Sequence, residues 1–207
     1  RPIVTRRWQC LTGFSHGNAG IATALSRLAA ASGREEFADL AMKAIAFENA
    51  LFDAGPQNWP DLRSDPSGPP QFMNTWCHGA PGIGMGRLAM ADLALTQPYT
   101  DDIDAAIRST RRFGIGTRDG LCCGALGRSD LFLLKATREN KTVASDLALS
   151  WASRIIARKR TAGNYRLTGR TGMEFFDPSF FQGVSGIGYQ LLRIAKPTLL
   201  PSVLTWE

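Results

Sequence analysis

The sequence predicts an all-α fold in which a recurring loop feeds one helix after another, as in a helical toroid or solenoid. Three observations carry that expectation. The frame Gly-x-x-Gly occurs four times, in SHGNAG at 15–20, CHGAPG at 77–82, CCGALG at 122–127 and FQGVSG at 181–186. The first glycines, Gly17, Gly79, Gly124 and Gly183, lie 62, 45 and 59 residues apart, which leaves room for a second helix within each unit. Apolar residues at helical spacing follow the frames and mark two of the intervals.

In chain order, Ile21, Leu25 and Leu28 mark a helix after the first frame, and Phe37, Leu40, Ala41, Ala44, Ile45 and Phe52 mark the next. Residues 53–72 hold five prolines and form a long connection, irregular or a short hairpin. The second frame runs into Ile83, and the third into Arg128, where the other three have isoleucine. Val143, Leu147, Trp151 and Ile155 mark another intervening helix. Residues 158–180, with Gly163, Gly169, Gly172 and Pro178, form a second long connection before the helix of Ile187, Leu191 and Ile194. The first glycine of each frame is expected at positive φ, and the second is expected to permit close backbone approach at a crowded helix start. One helix layer then faces inward, the other faces solvent, and the four loops gather at one rim.

Composition bounds the function classes. With 207 residues and 44% apolar content, the chain is long enough to bury a substantial core. No apolar run approaches the roughly 18 residues of a membrane span, and RPIVTRRWQC lacks the apolar core of a secretory signal, so the cytoplasm is the expected location. The 24 Lys and Arg against 18 Asp and Glu favour acidic partners. Apart from Arg6-Arg7, Arg111-Arg112 and Arg158-Lys159-Arg160 the basic residues are scattered, and none alternates with aromatics, which argues against nucleic acid as a partner. Without an initiating Met, the chain is expected to be one part of a longer polypeptide.

The chemistry lies just ahead of each first glycine. Those positions hold His16, His78, Cys123 and Gln182, preceded by Ser15, Cys77, Cys122 and Phe181. If the loops converge, Cys77, Cys122 and Cys123 supply three soft ligands to one zinc ion. Adjacent Cys122 and Cys123 are poor disulfide partners for each other, whereas Cys10 is expected to be a small core hydrophobe. Three cysteinates leave the fourth tetrahedral position to water or a substrate thiol, whose pKa the metal would lower; His78 or His16 as fourth ligand would instead close the site into a structural one. His78 taken alone is a packed or loop-capping histidine. Trp76 is expected to pack beneath the site, with a shelf for peptide as the alternative.

The runs GFSHGNAGIATAL, TWCHGAPGIGMGRL, GLCCGALGRSDLFL and DPSFFQGVSGIGYQLLRI cover nearly the whole chain. In that order they resemble the LanC-like cyclase portion of the class II, LanM-type lanthionine synthetases. The resemblance implies that 1–207 is the C-terminal part of a LanC-like cyclase domain, part of a double-layered α/α toroid with further repeats. It implies zinc held by Cys77, Cys122 and Cys123, the last in place of the His of many stand-alone cyclases. His16 corresponds to the proposed acid/base residue, and His78 is a second catalytic candidate beside the first ligand. The implied reaction adds peptide Cys thiols to dehydroalanine or dehydrobutyrine, giving lanthionine and methyllanthionine rings. The implied partners are a dehydrated precursor peptide and an upstream dehydratase region of the same polypeptide. Two departures stand out: a catalytic aspartate of stand-alone cyclases belongs to an earlier repeat, and Met73 and Asn74 stand where some relatives carry an arginine before Trp-Cys. The alternatives are a relative that adds another thiol, such as glutathione, and a non-catalytic peptide-binding module with structural zinc.

Overall fold

A computed structural model of the protein describes residues 10–65, 67–91, 99–139, 142–167 and 176–207, without the side chains of 142–144. Within these lie seven helices: α1 (Asn18–Ser32), α2 (Glu35–Asn49), α3 (Ala80–Ala91), α4 (Thr100–Phe113), α5 (Ala125–Glu139), α6 (Thr142–Ala162) and α7 (Val184–Ala195). Pairing between strands is limited, among the described residues, to two isolated bridges, Asp53 with Asn58 and Asn74 with Gly79. The all-α expectation therefore holds. No helix among the described residues is long and apolar enough to cross a membrane.

Each odd-numbered helix starts inside one of the four frames, and α1, α3, α5 and α7 pack side by side in that order. The intervening α2, α4 and α6 each fold back on the helix before them, giving the double layer. α3 is buried along Ala80–Met90, which is why its sequence shows no polar face. Gly84 and Gly86 let it sink that far. A Cβ on Gly84 would lie 2.6 Å from Ala106 of α4 and 3.0 Å from Leu131 of α5, and one on Gly86 would crowd Ala19 and Thr23 of α1.

The outer helix α4 was not legible from the apolar pattern, although it carries its own end signals. Asp101 and Asp102 sit in its first turn and Arg111 and Arg112 in its last, complementing the helix dipole, while Ile103, Ala106 and Thr110 face the core. Of the expected stripe of α1, Leu25 alone packs against the core. Ile21 is 53% exposed and Leu28 is exposed as well, whereas Ala19, Ala22, Thr23, Ser26 and Ala29 are buried, because close approach of α1 to α3 selects small side chains over large ones. In α2, Ala41 and Ile45 are buried as expected; Leu40 is exposed, and Phe52 lies beyond the helix against Trp59. Cys10 is exposed and not in the core, since the chain reaches the interior only at Thr12. The connection expected from 158 begins later, because α6 runs to Ala162 and ends on Gly163 at φ 83°. Gly169 and Gly172 lie outside the described residues, as does the Val143 side chain.

Buried ion pairs tie the layers. Glu48 of α2 pairs with Arg87 of α3 at 3.0 Å, and Arg87 reaches Asp102 of α4 at 2.8 Å. The other oxygen of Glu48 accepts the backbone N–H groups of Gly13 and Ala19, fixing the first loop. Asp130 of α5 accepts from Gln190 and Arg193 of α7 and from Ser202 beyond it.

Candidate metal centre

The four loops share one construction. A Cβ on the second glycine of any frame would fall well under 3.0 Å from the carbonyl oxygen six residues earlier, that of Phe14, Trp76, Leu121 or Phe180. Only glycine allows the chain to double back so tightly before entering its helix. The first glycines behave differently from expectation. Gly79 alone of the four has positive φ, at 90°; Gly17 and Gly183 are extended and needed instead for close approach to Thr12 and Asp177. Three loops close with the same 2.8 Å backbone bond, Asn18 to Leu11, Ala125 to Arg118 and Val184 to Asp177. In the second loop Asn58 substitutes: its Oδ1 accepts from Ala80 N at 2.7 Å and its Nδ2 donates to Met73 O at 2.9 Å. The proline-rich connection thus completes the loop that carries Cys77.

The loops meet at one end of the inner layer. Cys77, Cys122 and Cys123 place their sulfurs within 4.8 Å of one another, and no other His, Cys, Asp or Glu among the described residues joins that cluster. Cys123 Sγ lies 3.6 Å from Cys77 Sγ and 3.4 Å from Cys122 Sγ, and none of the three is in a disulfide. Thiolates on one tetrahedral zinc, at Zn–S of about 2.3 Å, stand about 3.8 Å apart, so the donor set fits such an ion with little movement. Thiol bonds from Cys122 and Cys123, then the hydroxyl of Thr75, hold the Cys77 thiol far below the ordinary range. Cys122 is pushed up, first through its bond with Cys123 and then through Cys77. For Cys123 the bond with Cys122 pulls down, and Cys77 together with burial outweighs it. Three thiols this close cannot all ionise without a cation among them.

The two histidines come from neighbouring loops. The exposed His16 stacks on the buried His78 with ring centroids 5.4 Å apart and planes at 25°. Nδ1 of His78 faces Thr12 O at 3.3 Å, so that nitrogen carries the proton and donates, while Nε2 is buried without a partner. Burial pushes the His78 pKa down, against the Cys77 thiolate nearby. Trp76 packs beneath the centre as expected: its Nε1 donates to Leu204 O, Phe14 leans on it, and Phe181 of the fourth loop stacks parallel to it at 5.2 Å. Phe181 is 41% exposed, and its carbonyl accepts from Cys122 N at 2.8 Å.

Arginines around the thiols were not anticipated. Arg128, 2% exposed, donates from Nη1 to Asn74 O at 3.2 Å and Cys123 O at 3.3 Å and from Nη2 to Ile115 O. Burial pushes its pKa down to about 10, with the Cys123 and Asp119 charges opposing. Arg63, from the proline-rich connection, is clamped by both oxygens of Asp61, and its Nη2 lies 3.0 Å from the sulfur of Met73. A guanidinium therefore reaches Met73 from another segment. The signal for Arg128 was present in the sequence, as the one charged residue at a position otherwise held by isoleucine; for Arg63 there was none.

The comparisons with known proteins agree with this architecture. The sequence model of the family described as Lanthionine synthetase C-like protein matches residues 6–205. The lacticin 481/lactococcin biosynthesis protein LcnDR2 of Lactococcus lactis subsp. lactis is 25% identical over 203 residues, covering 91% of this chain and 21% of that protein. The solved structure of nisin cyclase superposes with a TM-score of 0.67 at 17% identity, over 91% of this chain and 47% of that one. The chain thus spans about a fifth of the curated relative and about half of nisin cyclase, and the superposition shows that its helices form part of the same α/α toroid. With the family match running through all four frames, the chain belongs to the lanthionine synthetase C-like family.

Proposed function

We propose that the chain carries the zinc site of a cyclase that forms thioether rings in a dehydrated precursor peptide. The observation that carries this reading is the convergence of Cys77, Cys122 and Cys123 at one rim, with the neighbouring loop presenting His16. Bound zinc supplies a Lewis acid that lowers the pKa of the peptide's cysteine thiol and keeps the sulfur nucleophilic. That sulfur bonds to Cβ of dehydroalanine or dehydrobutyrine, the Cα=Cβ π pair moves onto the adjacent carbonyl as an enolate, and a proton delivered to Cα completes the lanthionine or methyllanthionine. His16 takes up the proton that the peptide thiol gives up and delivers one to Cα, so the addition balances: its imidazole is exposed and the ring is braced by His78. His78 positions that ring, its own orientation held by the Thr12 carbonyl.

The cluster holds three protein ligands and neither histidine, which favours an open fourth position over a closed structural zinc. Phe181, exposed and backed by the buried Trp76, gives the rim an apolar wall for peptide. The names of the two relatives, a lacticin 481/lactococcin biosynthesis protein and nisin cyclase, support the same substrate class. Dehydration of Ser and Thr is assigned to an upstream region of the same polypeptide.

The test is cyclisation of a synthetic peptide holding one dehydroalanine and one cysteine. The zinc-loaded protein should close the ring, and a Cys122→Ala/Cys123→Ala variant that stays helical should lose both zinc and ring closure. His16→Asn should keep zinc and lose the rate. Offering glutathione alongside separates ring closure from addition of an outside thiol. Ring closure at the wild-type rate by the double alanine variant would sink the proposal.

A further inference from the structure

We infer that Arg128 is a positioning residue of the metal centre, tying the Cys77 loop to the Cys122–Cys123 loop and supplying the buried positive charge that balances the thiolates. The inference rests on the metal-centre reading above and adds a residue to it.

The repeat supplies an internal comparison. At the position after the second glycine, Ile83 and Ile187 are buried and Ile21 is exposed, so the local structure accepts a hydrocarbon there in each of the other three frames. Arg128 departs from that pattern in the one frame that carries two of the three thiols. Its guanidinium bridges two backbone segments: Asn74 lies three residues before Cys77, and Cys123 is itself in the cluster. One rigid fork therefore sets the spacing between the two ligand-bearing loops.

The charge needs an explanation of its own. Among the described residues Arg128 forms no ion pair with a carboxylate; it has carbonyl acceptors, the ring of Phe113 at 4.9 Å, and an Nε without a partner. Burying a cation without an anion is costly, and carbonyls with one aromatic ring offset only part of that. Asp119 is already engaged by Arg158 and by Arg166 N. Arg63 is paired with Asp61, and Arg118 is exposed. Of the two anions that face Arg128, Asp119 is shared with Arg158, and Cys123 of the thiol cluster acts on it more strongly. Three thiolates around a divalent ion carry one net negative charge, and the buried guanidinium is opposite in sign, equal in magnitude and close by.

The test measures zinc affinity by competition with a chelator, and the thiolate-to-cobalt absorption after cobalt substitution, for wild type, Arg128→Met and Arg128→Lys. Methionine should weaken zinc binding about tenfold or more, the range found for outer-shell partners, and should weaken the cobalt band. Lysine keeps the charge without the fork and should recover part of the affinity. An Arg128→Met protein with wild-type affinity and an unchanged cobalt spectrum overturns the inference, and a lysine variant no better than methionine overturns the charge assignment. Should the methionine variant fail to fold, the arginine side-chain NMR signal of wild-type Arg128 decides: it should shift when zinc is added, and a signal that stays put refutes the coupling. A folded wild-type protein that takes up no zinc would remove the metal-centre reading, and this inference with it.

Discussion

Replacing Asp130 by asparagine isolates the charge that locks α5 to α7 and to the segment beneath Trp76. Asp130 is fully buried; its Oδ1 accepts from Gln190 Nε2 at 3.0 Å and Arg193 Nε at 2.9 Å, and its Oδ2 accepts from Ser202 Oγ at 2.6 Å. Asparagine keeps the shape and the pattern, since its oxygen can still face Gln190 and Arg193 while its amide donates to the serine oxygen. What disappears is the anion opposite Arg193, itself 2% exposed. Removing one partner of a buried pair costs roughly 3–5 kcal/mol, and the retained hydrogen bonds place Asp130→Asn near the low end, about 3 kcal/mol. With a urea slope of roughly 2–3 kcal/mol/M for a chain of this size, the unfolding midpoint should fall by about 1 M at unchanged slope. Removing the cation as well, in Asp130→Asn/Arg193→Met, should leave the pair of changes about 1–3 kcal/mol less damaging than their sum. A single variant within 1 kcal/mol of wild type, or a strictly additive double variant, would refute this account of the lock.

Further predictions concern the loops and the centre. Gly127→Ala places a Cβ against the Leu121 carbonyl and should cost about 4 kcal/mol or more, whereas Gly188→Ala, on an exposed turn of α7 with open space around it, should be neutral or stabilising by up to about 1 kcal/mol; thermal melts of the two separate a required glycine from a tolerated one. The hydrogen bond from Arg63 holds the Asp61 carboxyl below the usual carboxylate range. Its folded pKa is thus below its unfolded one, so the stabilisation is present above about pH 4 and lost as the pH falls through the folded pKa. Asp61→Asn should therefore cost about 0.5–1 kcal/mol at pH 7, a value discounted for the exposure of Arg63, and nothing in strong acid, in denaturation curves run at both pH values. Cys10→Ser should leave zinc content and chelator-induced melting shifts unchanged, since that thiol is exposed and outside the cluster, while Cys77→Ser should reduce both.

The loops were far more legible than the helix faces. Four glycine frames at helix entries, and thiols placed just ahead of two of them, are local features, because the tight return needs glycine whatever lies around it. From them the sequence by itself determined the all-α repeat, the starts of α1, α3, α5 and α7, and which three cysteines come together. Which face of a helix is buried is a different kind of fact. The Ile21 and Leu28 stripe of α1 is sound helical periodicity on the exposed side, because the approach of α3 rewards Ala19, Ala22 and Ala29. The ion pairs of Glu48 with Arg87 and of Asp130 with Arg193 join residues 39 and 63 positions apart, so no window of sequence shows them. The tertiary structure alone decided that Arg128 sits between the two cysteine loops and that Arg63 reaches Met73, since both depend on segments brought together only when the layers close. Backbone chemistry is written residue by residue; burial and charge pairing belong to the neighbours that folding supplies.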